Sequence, residues 1–486
     1  MDTKKLRQKV LDLAIHGKLV KQDPNDEPAS ILLDRIRAEK ARLVKEGKIK
    51  NNTSTTKINE NKPYDIPESW TWCIVDDFAY VASGSTPQKE AFVDKGIPYI
   101  KMYNIRNQKI DFEYQPQYIK EEVHNGKLKR SRTEVGDLLM NIVGPPLGKM
   151  AIIPPSLPES NFNQAAVLIR PLLHKEILVK YLFYYLSEMS EINSISTKGT
   201  AGQVNISLTQ SQNMRVALPP LDEQHRIVKA VDELFEQIDI IERSEKELEE
   251  AANKTRDKLL NLAIQGHLVP QDPNEEPASV LLERIRAEKA RLVKEGKLKK
   301  KDLEEKPISP DEIPFDIPEG WVWCRLGDYN EIITGSTPSK SNPEFFGKDY
   351  PFYKPGDLIS KFITNSDDGL STVGYTQTRK LPKDSILVCC IGSLGKSSII
   401  KREGSCNQQI NAILPSQIFI VDYLFYSINS PYFVQEMWNK SASTTVTILN
   451  KANFSDILIP LPPLSEQRRI VTKLEELLQE IDKLKA

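Results

Sequence analysis

The stretch RIRAEKARLVKEGK, residues 35–48, returns unchanged as residues 284–297. It is the centre of a longer repeat, in which residues 11–50 match residues 260–299 at about 32 of 40 positions. A repeat of this size is too long for one turn of a solenoid. It therefore indicates that the chain contains two large copies of one design.

A second repeated segment shows that the two copies are permuted. Residues 219–228, Pro-Pro-Leu-Asp-Glu-Gln-His-Arg-Ile-Val, have their counterpart near the end of the chain as residues 462–471, Pro-Pro-Leu-Ser-Glu-Gln-Arg-Arg-Ile-Val. Residues 462–486 followed by residues 1–50 reproduce the order of the central segment, 219–299. This order predicts a pseudo-twofold axis and chain termini that lie together.

Both copies of the Pro-Pro-Leu segment are predicted to begin a helix. Asp222 and Ser465 are suitable N-caps after the prolines. Apolar residues then recur every three or four positions, as Ile227, Val231, Leu234, Ile238, Ile241 and Leu248, and as Ile470, Leu474, Leu477, Ile481 and Leu484. Because each stripe is too narrow to bury itself, we expect the two helices to pair antiparallel as a coiled coil. Ordinary packing against a domain is the alternative.

Two unlike stretches, about 64–218 and 315–461, lie between the helical copies but share short anchors. The anchors are Asp-Ile-Pro-Glu-x-Trp-x-Trp-Cys at 65–73 and 316–324, Gly-Ser-Thr-Pro at 84–87 and 335–338, a glycine turn at 144–149 and 392–396, Asn-Gln at 163–164 and 407–408, and Tyr-Leu-Phe-Tyr at 181–184 and 423–426. Short β-rich runs at 137–143, 165–170, 385–390 and 411–414, with a helix at 179–186 or 421–427, predict mixed α and β domains. Divergence between the anchors is typical of a scaffold with variable recognition loops.

The predicted fold is α+β, with two pseudo-symmetric mixed α/β domains separated by a pair of long antiparallel helices. The expected segments are an N-terminal helical region at 1–50, a first domain at 64–218, a central helical spacer at 219–300, a second domain at 315–461 and a C-terminal helix at 462–486 that pairs with the central helix. Polar or charged stretches at 50–62 and 299–314 are predicted linkers.

Length and composition favour an ordinary soluble protein. The chain has 486 residues, 39% of them hydrophobic, and a net charge of −1, which suits two domains. No apolar run approaches the ~18 residues that a membrane span needs, and residues 1–9 lack the apolar core of a signal peptide. We therefore expect a cytoplasmic protein. Five cysteines without a CxxC pair, Cys73, Cys324, Cys389, Cys390 and Cys406, are expected to be buried thiols.

No catalytic constellation stands out in the sequence. Residues 390–397 contain Gly-Lys-Ser after a predicted strand, but Cys390 stands where a phosphate-binding loop needs glycine. A turn between two strands is the favoured interpretation. The five histidines show no metal-pair spacing, and His16 and His225 are replaced by Gln265 and Arg468 in the other copy. We expect no catalytic residue, metal or cofactor on this chain.

The distribution of charge nominates a nucleic-acid surface. Between Lys95 and Arg132 nine lysines and arginines stand against four acidic residues. Basic, amide and aromatic side chains together suit phosphate contacts and base reading. The candidates are Lys101, Tyr103, Asn104, Arg106, Asn107, Lys109, Lys127, Lys129, Arg130 and Arg132 in the first domain, and Tyr353, Lys354, Lys361, Tyr375, Gln377, Thr378, Arg379 and Lys380 in the second. For each of them an ordinary solvated surface position is the alternative.

These motifs together resemble one known family. The Trp-x-Trp opening, the Gly-Ser-Thr-Pro turn and the twice-repeated Leu-Pro-Pro-Leu-x-Glu-Gln-x-Arg-Ile-Val helix start are similar to those of the specificity subunit of type I restriction-modification enzymes. The resemblance implies two target recognition domains, each reading one half of a split asymmetric site in double-stranded DNA. It also implies two methylation subunits and restriction/translocase subunits as partners, which would hold S-adenosylmethionine, ATP and Mg²⁺ and carry out adenine methylation or restriction.

Two other classes of protein stay open at this point. One is a self-contained enzyme, which the missing nucleophile and cofactor motifs disfavour. The other is a coiled-coil adaptor that binds only protein. Binding to DNA in the presence and absence of a methylation subunit distinguishes the three.

Overall fold

The computed structural model describes residues 1–49, 62–144, 146–195, 205–297, 305–443 and 446–485. The chain divides into two compact units, Met1–Ser244, called unit 1, and Glu245–Ala486, called unit 2. The linker predicted at 50–62 lies outside the described residues except for residue 62, and so do residues 299–304 of the second predicted linker. Residues 305–314 are described and contact unit 2, since Glu305 lies 2.7 Å from Arg286 and Glu312 lies 2.7 Å from Arg325.

The elements of unit 1, with the helix that continues beyond it, follow in chain order. They are α1 Thr3–Ile15, α2 Ala29–Lys45, β1 Thr71–Ile74, α3 Val75–Phe78, β2 Ala79–Ser83, β3 Phe92–Val93, β4 Ile97–Ile100, β5 Ile105–Arg106, β6 Lys109–Ile110, β7 Tyr118–Ile119, α4 Glu121–Asn125, β8 Leu138–Asn141, β9 Met150–Ile152, β10 Asn161–Phe162, β11 Ala166–Pro171, α5 Lys175–Ser187, α6 Ser190–Ser194, α7 Leu208–Gln212, β12 Arg215–Leu218 and α8 Leu221–Ile264. Helix α8 has 44 residues and crosses the boundary into unit 2.

The remaining elements of unit 2 repeat much of this order. They are α9 Ala278–Lys294, β13 Val322–Arg325, α10 Leu326–Tyr329, β14 Ile332–Thr334, β15 Phe346–Tyr353, β16 Phe362–Ile363, β17 Gly369–Leu370, α11 Thr372–Thr376, β18 Ile386–Cys389, β19 Ser397–Ile400, β20 Ser405–Cys406, β21 Ile410–Ile413, α12 Val421–Ile428, α13 Pro431–Asn439, β22 Ala442–Ser443, β23 Thr447–Ile448, α14 Lys451–Ser455, β24 Leu458–Leu461 and α15 Leu464–Lys485. The mixed α and β content predicted from the sequence is confirmed, as are the short strands and the helix expected in each domain.

Each unit is built on a central antiparallel sheet. The strand order is β2-β11-β8-β9 in unit 1, and β14-β21-β18-β19 with β16 added at the edge in unit 2. A second sheet, β10-β4-β7-β3 or β17-β15-β20, contains one parallel pair in each unit. A further antiparallel pair, β1 with β12 or β13 with β24, joins the first strand of each domain to its last.

The central strands are buried on both faces. In β8, Leu138 and Met140 face the core that contains α5, whereas Leu139 faces a second cluster with Ile100 and Phe162. Strand β18 divides its side chains between two clusters in the same alternating way. Burial on both faces explains why these strands read as continuous apolar runs in the sequence.

The glycine turns form hairpins. Strand β8 pairs antiparallel with β9, and β18 with β19. Gly392 and Gly395 have φ of +81° and +85°, a backbone region that favours glycine. A phosphate-binding loop requires a helix after the glycines, so the turn that the sequence favoured at residues 390–397 is confirmed.

Each apolar helical stripe has a partner inside its own unit. In unit 1 the guanidinium of Arg7 on α1 lies 3.3 Å from the Glu242 carboxylate of α8. In unit 2 the C-terminal part of α8 contacts α15, with Arg256 lying 3.6 Å from Asp482.

A second contact in each unit gives the direction of the helices, since Gln22, which follows α1, donates to Glu223 at the start of α8, and Lys485 donates to Asn253. Residue numbers thus rise on one helix as they fall on the other, so both pairs run antiparallel. The C-terminal helix α15 therefore contacts the central helix, as the sequence predicted, along the C-terminal part of α8. The expected pairing of the two apolar stripes with each other, and the meeting of the termini, would lie between the units and stay predictions.

A buried glutamate explains why the Pro-Pro-Leu-x-Glu-Gln motif occurs twice. The Glu223 carboxylate accepts hydrogen bonds from Trp70 Nε1 at 2.9 Å and from Gln22 Nε2 at 2.5 Å. In unit 2, Glu466 accepts the same bonds from Trp321 at 2.9 Å and Gln271 at 2.6 Å. In each unit one carboxylate therefore joins three repeated segments, which are the loop after a helix, the Trp-x-Trp segment that leads into a strand, and the start of a helix.

Two findings bear on the expected absences. All five cysteines are buried and free of disulfides, as predicted. Within the described part of the chain, no helix is long and apolar enough to cross a membrane.

Candidate nucleic-acid interface

In unit 1, three polar segments meet at one end of the second sheet. The Ser85 N–H donates to the Phe162 carbonyl at 3.1 Å, and the Asn163 N–H donates to the Ile100 carbonyl at 3.0 Å. Gly84 lies so close to the opposite loop that a Cβ there would be 2.0 Å from the Asn163 carbonyl oxygen. Residues 84–87, 101 and 163–164 are called the turn cluster of unit 1.

Unit 2 builds the same arrangement from its own anchors. The Ser336 N–H donates to the Cys406 carbonyl at 2.9 Å, and the Asn407 N–H donates to the Tyr353 carbonyl at 3.2 Å. A Cβ on Gly335 would lie 2.1 Å from the Asn407 carbonyl oxygen. Residues 335–338, 354 and 407–408 form the turn cluster of unit 2.

The strand registers of the two clusters match. Phe162 pairs with Ile100 in the parallel pair of unit 1, and Cys406 pairs with Tyr353 in that of unit 2. Since parallel strands end at the same edge of a sheet, the residues that follow them are brought side by side. The geometry thus places Lys101 and Lys354 at equivalent positions.

Both lysines are fixed at the backbone by the side chain three residues on. The Lys101 N–H donates to Asn104 Oδ1 at 2.9 Å, and the Lys354 N–H donates to Asp357 Oδ2 at 2.7 Å. The Lys101 ammonium lies 5.9 Å from the Tyr103 ring centre, whereas the Lys354 ammonium pairs with Asp368 at 2.5 Å. The two equivalent cations therefore have different surroundings.

An exposed arginine lies beside each cluster. The Arg130 guanidinium donates to Ser85 Oγ at 3.2 Å. In unit 2 the Arg379 guanidinium donates to the Thr334 carbonyl at 2.5 Å. Both side chains are open to solvent. Each turn cluster, together with the arginine beside it, therefore places a lysine, an arginine and polar loops on one accessible edge.

Several polar residues of the clusters were not among the sequence candidates. Thr86 and Gln164 are exposed in unit 1. In unit 2 the exposed Thr337 hydroxyl donates to Gln408 Oε1 at 2.6 Å. The sequence feature that could have identified these residues is their repetition. Exposed Thr and Gln side chains recur in both copies although core packing does not require them. The sequence analysis treated them only as shared anchors.

The other basic candidates of unit 1 divide into exposed and engaged side chains. Lys109, Lys127 and Lys129 are exposed. Arg132 is partly buried, donates to the His124 carbonyl at 3.3 Å, binds Asn125 and lies 3.5 Å from Glu159. The prediction that Arg132 contacts DNA does not fit this geometry, because its guanidinium is already used within the domain.

Asn104 also departs from the prediction. It is 1% exposed, and its amide donates to the carbonyls of Asp111 at 3.0 Å and Tyr114 at 2.8 Å. With its oxygen bound by the Lys101 N–H, the amide orders the loop and has no free group for a base edge. Tyr103, Arg106 and Asn107 lie on the same loop with accessible surface.

Two aromatic candidates of unit 2 are buried. Tyr353 is 0% exposed, and its hydroxyl donates to the Thr364 carbonyl at 3.0 Å. Burial raises the pKa of Tyr353 to about 12. Tyr375 is buried and stacks on Tyr350 at 3.9 Å between ring centres. Both side chains pack inside the domain, so neither fits a direct contact with DNA.

Lys361 is held inside unit 2. Its ammonium lies 2.6 Å from the carboxylates of both Asp422 and Glu475, and donates to the Tyr426 hydroxyl at 3.0 Å. Burial lowers the pKa of Lys361, but the hydrogen bonds to the carboxylates outweigh it, so the net shift is upward. Lys361 therefore fastens its loop to α12 and α15 and does not fit the predicted role of a phosphate contact.

The remaining candidates of unit 2 lie on the loop after α11. Gln377 and Lys380 are exposed, and the Lys380 ammonium lies 5.4 Å from the Tyr375 ring centre. Thr378 is partly buried and donates to the Tyr375 carbonyl at 3.1 Å. With Arg379 they form a polar, basic edge above the buried tyrosine.

The side chains of both clusters suit binding better than catalysis. Lysine and arginine bind anions, and amide and hydroxyl groups both donate and accept hydrogen bonds. In the part of the chain that the structure describes, no group of His, Cys, Asp and Glu is placed to hold a metal ion.

Comparison with known proteins identifies the family. The family model described as the type I restriction modification DNA specificity domain matches residues 67–250 and again residues 318–486. Each match covers most of one domain and the helix that follows it. The chain therefore belongs to the family of type I restriction-modification specificity subunits.

Individual relatives align along nearly the whole chain. The specificity subunit of the Escherichia coli type I restriction enzyme EcoAI is 31% identical, covering 99% of this chain and 90% of the relative. That of EcoEI, also from Escherichia coli, is 29% identical with the same coverage. A solved chain from a study of complex assembly and conformational transition in a type I R-M system has a TM-score of 0.61 at 21% identity. It covers 87% of this chain and 93% of its own length, and supports the fold.

Proposed function

We propose that this specificity subunit reads a bipartite, asymmetric site in double-stranded DNA, one half with each unit. The duplicated turn cluster is the observation that carries the proposal. In both units the same strand register brings lysine, arginine and exposed polar loops to one edge. Two equivalent edges with different side chains suit two different half-sites.

The proposed interface assigns separate tasks to its residues. Lys101, Lys129, Arg130 and Arg379 would contact phosphates, which position a protein on DNA but carry little sequence information. Side chains on the divergent loops would contact base edges in the major groove. In unit 1 the β5–β6 hairpin would make such contacts with base edges, and in unit 2 the loop after α11 would make them.

The chemistry belongs to partner subunits in this proposal. Two methylation subunits would carry S-adenosylmethionine and methylate adenine, and restriction/translocase subunits would use ATP and Mg²⁺. This chain would direct them to the site while holding no cofactor of its own, in the cytoplasm. Its relatives are named as specificity subunits of type I restriction enzymes.

A mobility-shift experiment tests whether the chain binds DNA and what it needs. The full chain is incubated with a pool of random duplexes, with and without a methylation subunit. We expect sequence-selective retardation that is strongest with the partner present. Retardation of no duplex under either condition would favour a protein-only adaptor and contradict the proposal. Methylation by the chain alone would favour a self-contained enzyme.

Mapping of methylated bases tests the bipartite target. The assembled methylation complex modifies a library of random sequences, and the modified positions are read by sequencing. We expect two short, different motifs separated by a gap of fixed length. A single continuous motif, or two identical inverted halves, would contradict the assignment of one half-site to each unit.

A further inference from the structure

The loop of unit 1 that carries Arg106 contains a tight hairpin. Strands β5 and β6 are joined by Asn107 and Gln108 alone, and both residues have positive φ, 47° and 58°. A two-residue turn with this backbone matches the twist of a hairpin and favours asparagine at its first position. The turn therefore fixes the register of the hairpin.

The hairpin directs successive side chains to opposite sides. Ile105 is buried in the cluster that contains Leu139 and Phe162. The next side chain, Arg106, points away from that core and is 48% exposed. Because successive strand residues alternate between the two faces, anchoring Ile105 in the core orients Arg106 toward solvent.

Tyr114 provides a surface for the exposed guanidinium. The Arg106 Cζ lies 4.1 Å from the centre of the Tyr114 ring. The Arg106 Nε faces Asp111 Oδ2 at 3.5 Å. Among the described residues, none accepts a hydrogen bond from the two terminal nitrogens of Arg106. A planar guanidinium on an aromatic face, with both terminal nitrogens free, can donate two parallel hydrogen bonds.

Contacts with neighbouring residues hold Tyr114 itself in place. The side chain of Asn104 donates to the Tyr114 carbonyl at 2.8 Å. The Tyr103 ring meets the Tyr114 ring edge-on at 6.1 Å, and its hydroxyl donates to the Gln115 carbonyl at 3.2 Å. Tyr114 is nevertheless 41% exposed. Tyr114 is thus fixed at its backbone, and one face of its ring carries the Arg106 guanidinium.

We infer that Tyr114 is a positioning residue that orients Arg106 to donate two hydrogen bonds to the O6 and N7 acceptors of a guanine in the first half-site. The inference rests on the proposed function of the chain. Guanine is the base whose major-groove edge offers two adjacent acceptors, and arginine is the side chain that matches them. Removing the Tyr114 ring leaves the charge of Arg106 in place but no longer holds its guanidinium in one orientation.

The test uses the full chain in its methylation complex and a library randomised at every position of both half-sites. Tyr114→Phe keeps a ring under the guanidinium, whereas Tyr114→Leu and Tyr114→Ala remove it. We expect the phenylalanine variant to keep the base preference of the unchanged chain. We expect the leucine and alanine variants to lose about tenfold in preference at one guanine of the first half-site. The second half-site is the internal control.

Arg106→Lys provides the matched arm, because lysine keeps the charge but lacks the planar, rigid guanidinium that lies on the Tyr114 ring. It should weaken the base preference at the same base pair as Tyr114→Leu. The double variant should lose no more preference there than Arg106→Lys alone. Unaltered preference in Tyr114→Leu, relaxation at a different base pair, or equal loss at both half-sites would each overturn the inference. Absence of any sequence preference in the unchanged chain would instead contradict the proposed function.

Discussion

Glu223 and Glu466 are the residues that join the repeated segments within each unit. Each buried carboxylate accepts from a tryptophan ring nitrogen and a glutamine amide. A glutamine in its place has one acceptor oxygen for two donors. Glu466→Gln should therefore lower the free energy of unfolding by about 1 to 3 kcal/mol, the cost of an unsatisfied buried polar group.

Chemical denaturation of the full chain measures that change. The control is Glu233→Gln, a substitution at an exposed glutamate on α8 that lies 3.8 Å from Lys229. It should leave stability within about 0.5 kcal/mol, as exposed ion pairs contribute little. Equal effects of the two substitutions would contradict the role assigned to the buried carboxylate.

The same carboxylates predict a dependence on pH. Burial is the largest influence on Glu466 and raises its pKa above the ordinary value of 4.5, despite the hydrogen bonds that lower it. The folded chain then binds the proton more tightly than the unfolded chain, so this contribution to stability is complete below pH 4.5 and is lost as the pH rises through the raised pKa.

Unfolding curves at several pH values test the sign. The advantage in stability of the unchanged chain over Glu466→Gln should grow as the pH falls from 7 towards 4.5. A difference that is constant with pH, or that shrinks on acidification, would show that the pKa of Glu466 is not raised in the folded chain.

Arg130 and Arg132 form a matched pair for testing phosphate contact. Arg130 is exposed beside the turn cluster, whereas Arg132 is occupied by groups of its own domain. Arg130→Ala should weaken binding to all duplexes and reduce the slope of log affinity against log salt by about 1. Salt titrations of the assembled complex measure it, and an unchanged slope would remove Arg130 from the interface.

Arg132→Ala should act differently because its contacts are internal. We expect it to reduce stability and to leave the salt slope unchanged. A slope reduced as much as in Arg130→Ala would show that Arg132 is released to bind phosphate.

Residue type alone did not distinguish side chains that are free to contact DNA from those already bound within their own domain. The sequence indicated that basic, amide and aromatic side chains around residues 101–132 form a surface, and Lys101 and Arg130 do lie at the turn cluster. It could not show that Asn104 is buried, because that depends on two carbonyls up to ten residues away. The two carboxylates that occupy Lys361 are more distant still, at positions 422 and 475.

At the scale of elements, the meeting of two turns depends on glycine. Gly335 faces the Asn407 carbonyl at a distance that leaves no room for a side chain. Gly335→Ala should push the Gly-Ser-Thr-Pro turn away from residues 407–408 and impair recognition of the second half-site, with the first half-site retained. Mapping of methylated bases measures both halves in one experiment.

Gly356→Ala is the control in the same unit, because no atom lies within 4 Å of a Cβ built at Gly356. It should leave both half-sites unchanged. If Gly335→Ala behaved like this control, the close approach of the two turns would have no part in recognition.

The elements themselves were largely predictable. Strands β8, β11, β18 and β21 and helices α5 and α12 lie where the apolar runs placed them, since buried strands and a buried helix leave strong patterns. The β5–β6 hairpin was not predicted, because strands of two residues leave no periodicity to detect. The contact of α15 with the central helix was predicted, but the contact of α1 with α8 was not, since an apolar stripe shows that a helix is covered without showing which element covers it.

At the scale of the whole molecule, α8 is the covalent link between the units. Its 44 residues correspond to about 66 Å of helix at ~1.5 Å per residue. Under the proposed function, the length of this helix sets the gap between the half-sites. Insertion of one heptad after Ser244 should lengthen the gap by about three base pairs, from ~10.5 Å of added helix and ~3.4 Å per base pair.

Methylated-base mapping of the insertion variant reads the gap directly. The two half-site motifs should be unchanged, because the insertion lies in an exposed stretch of α8. The control is an inserted heptad of the same length in which glycine and proline replace the helix formers. It should make the spacing between the half-sites variable or abolish methylation. A gap of the original length after the helical insertion would refute the idea of a rigid ruler.

Among the described residues, the main core cluster of unit 1 is built from positions 10–235. Arg7 meets Glu242, and Gln22 meets Glu223, before residue 245 begins unit 2. On the ribosome, therefore, every partner that the first core needs emerges before the second begins to be made, and domains generally fold in that order during synthesis. Near-identical helices could exchange partners if both copies were unfolded at once. Because unit 1 emerges first, its helices have already folded with their own partners when the near-identical helices of unit 2 are synthesised.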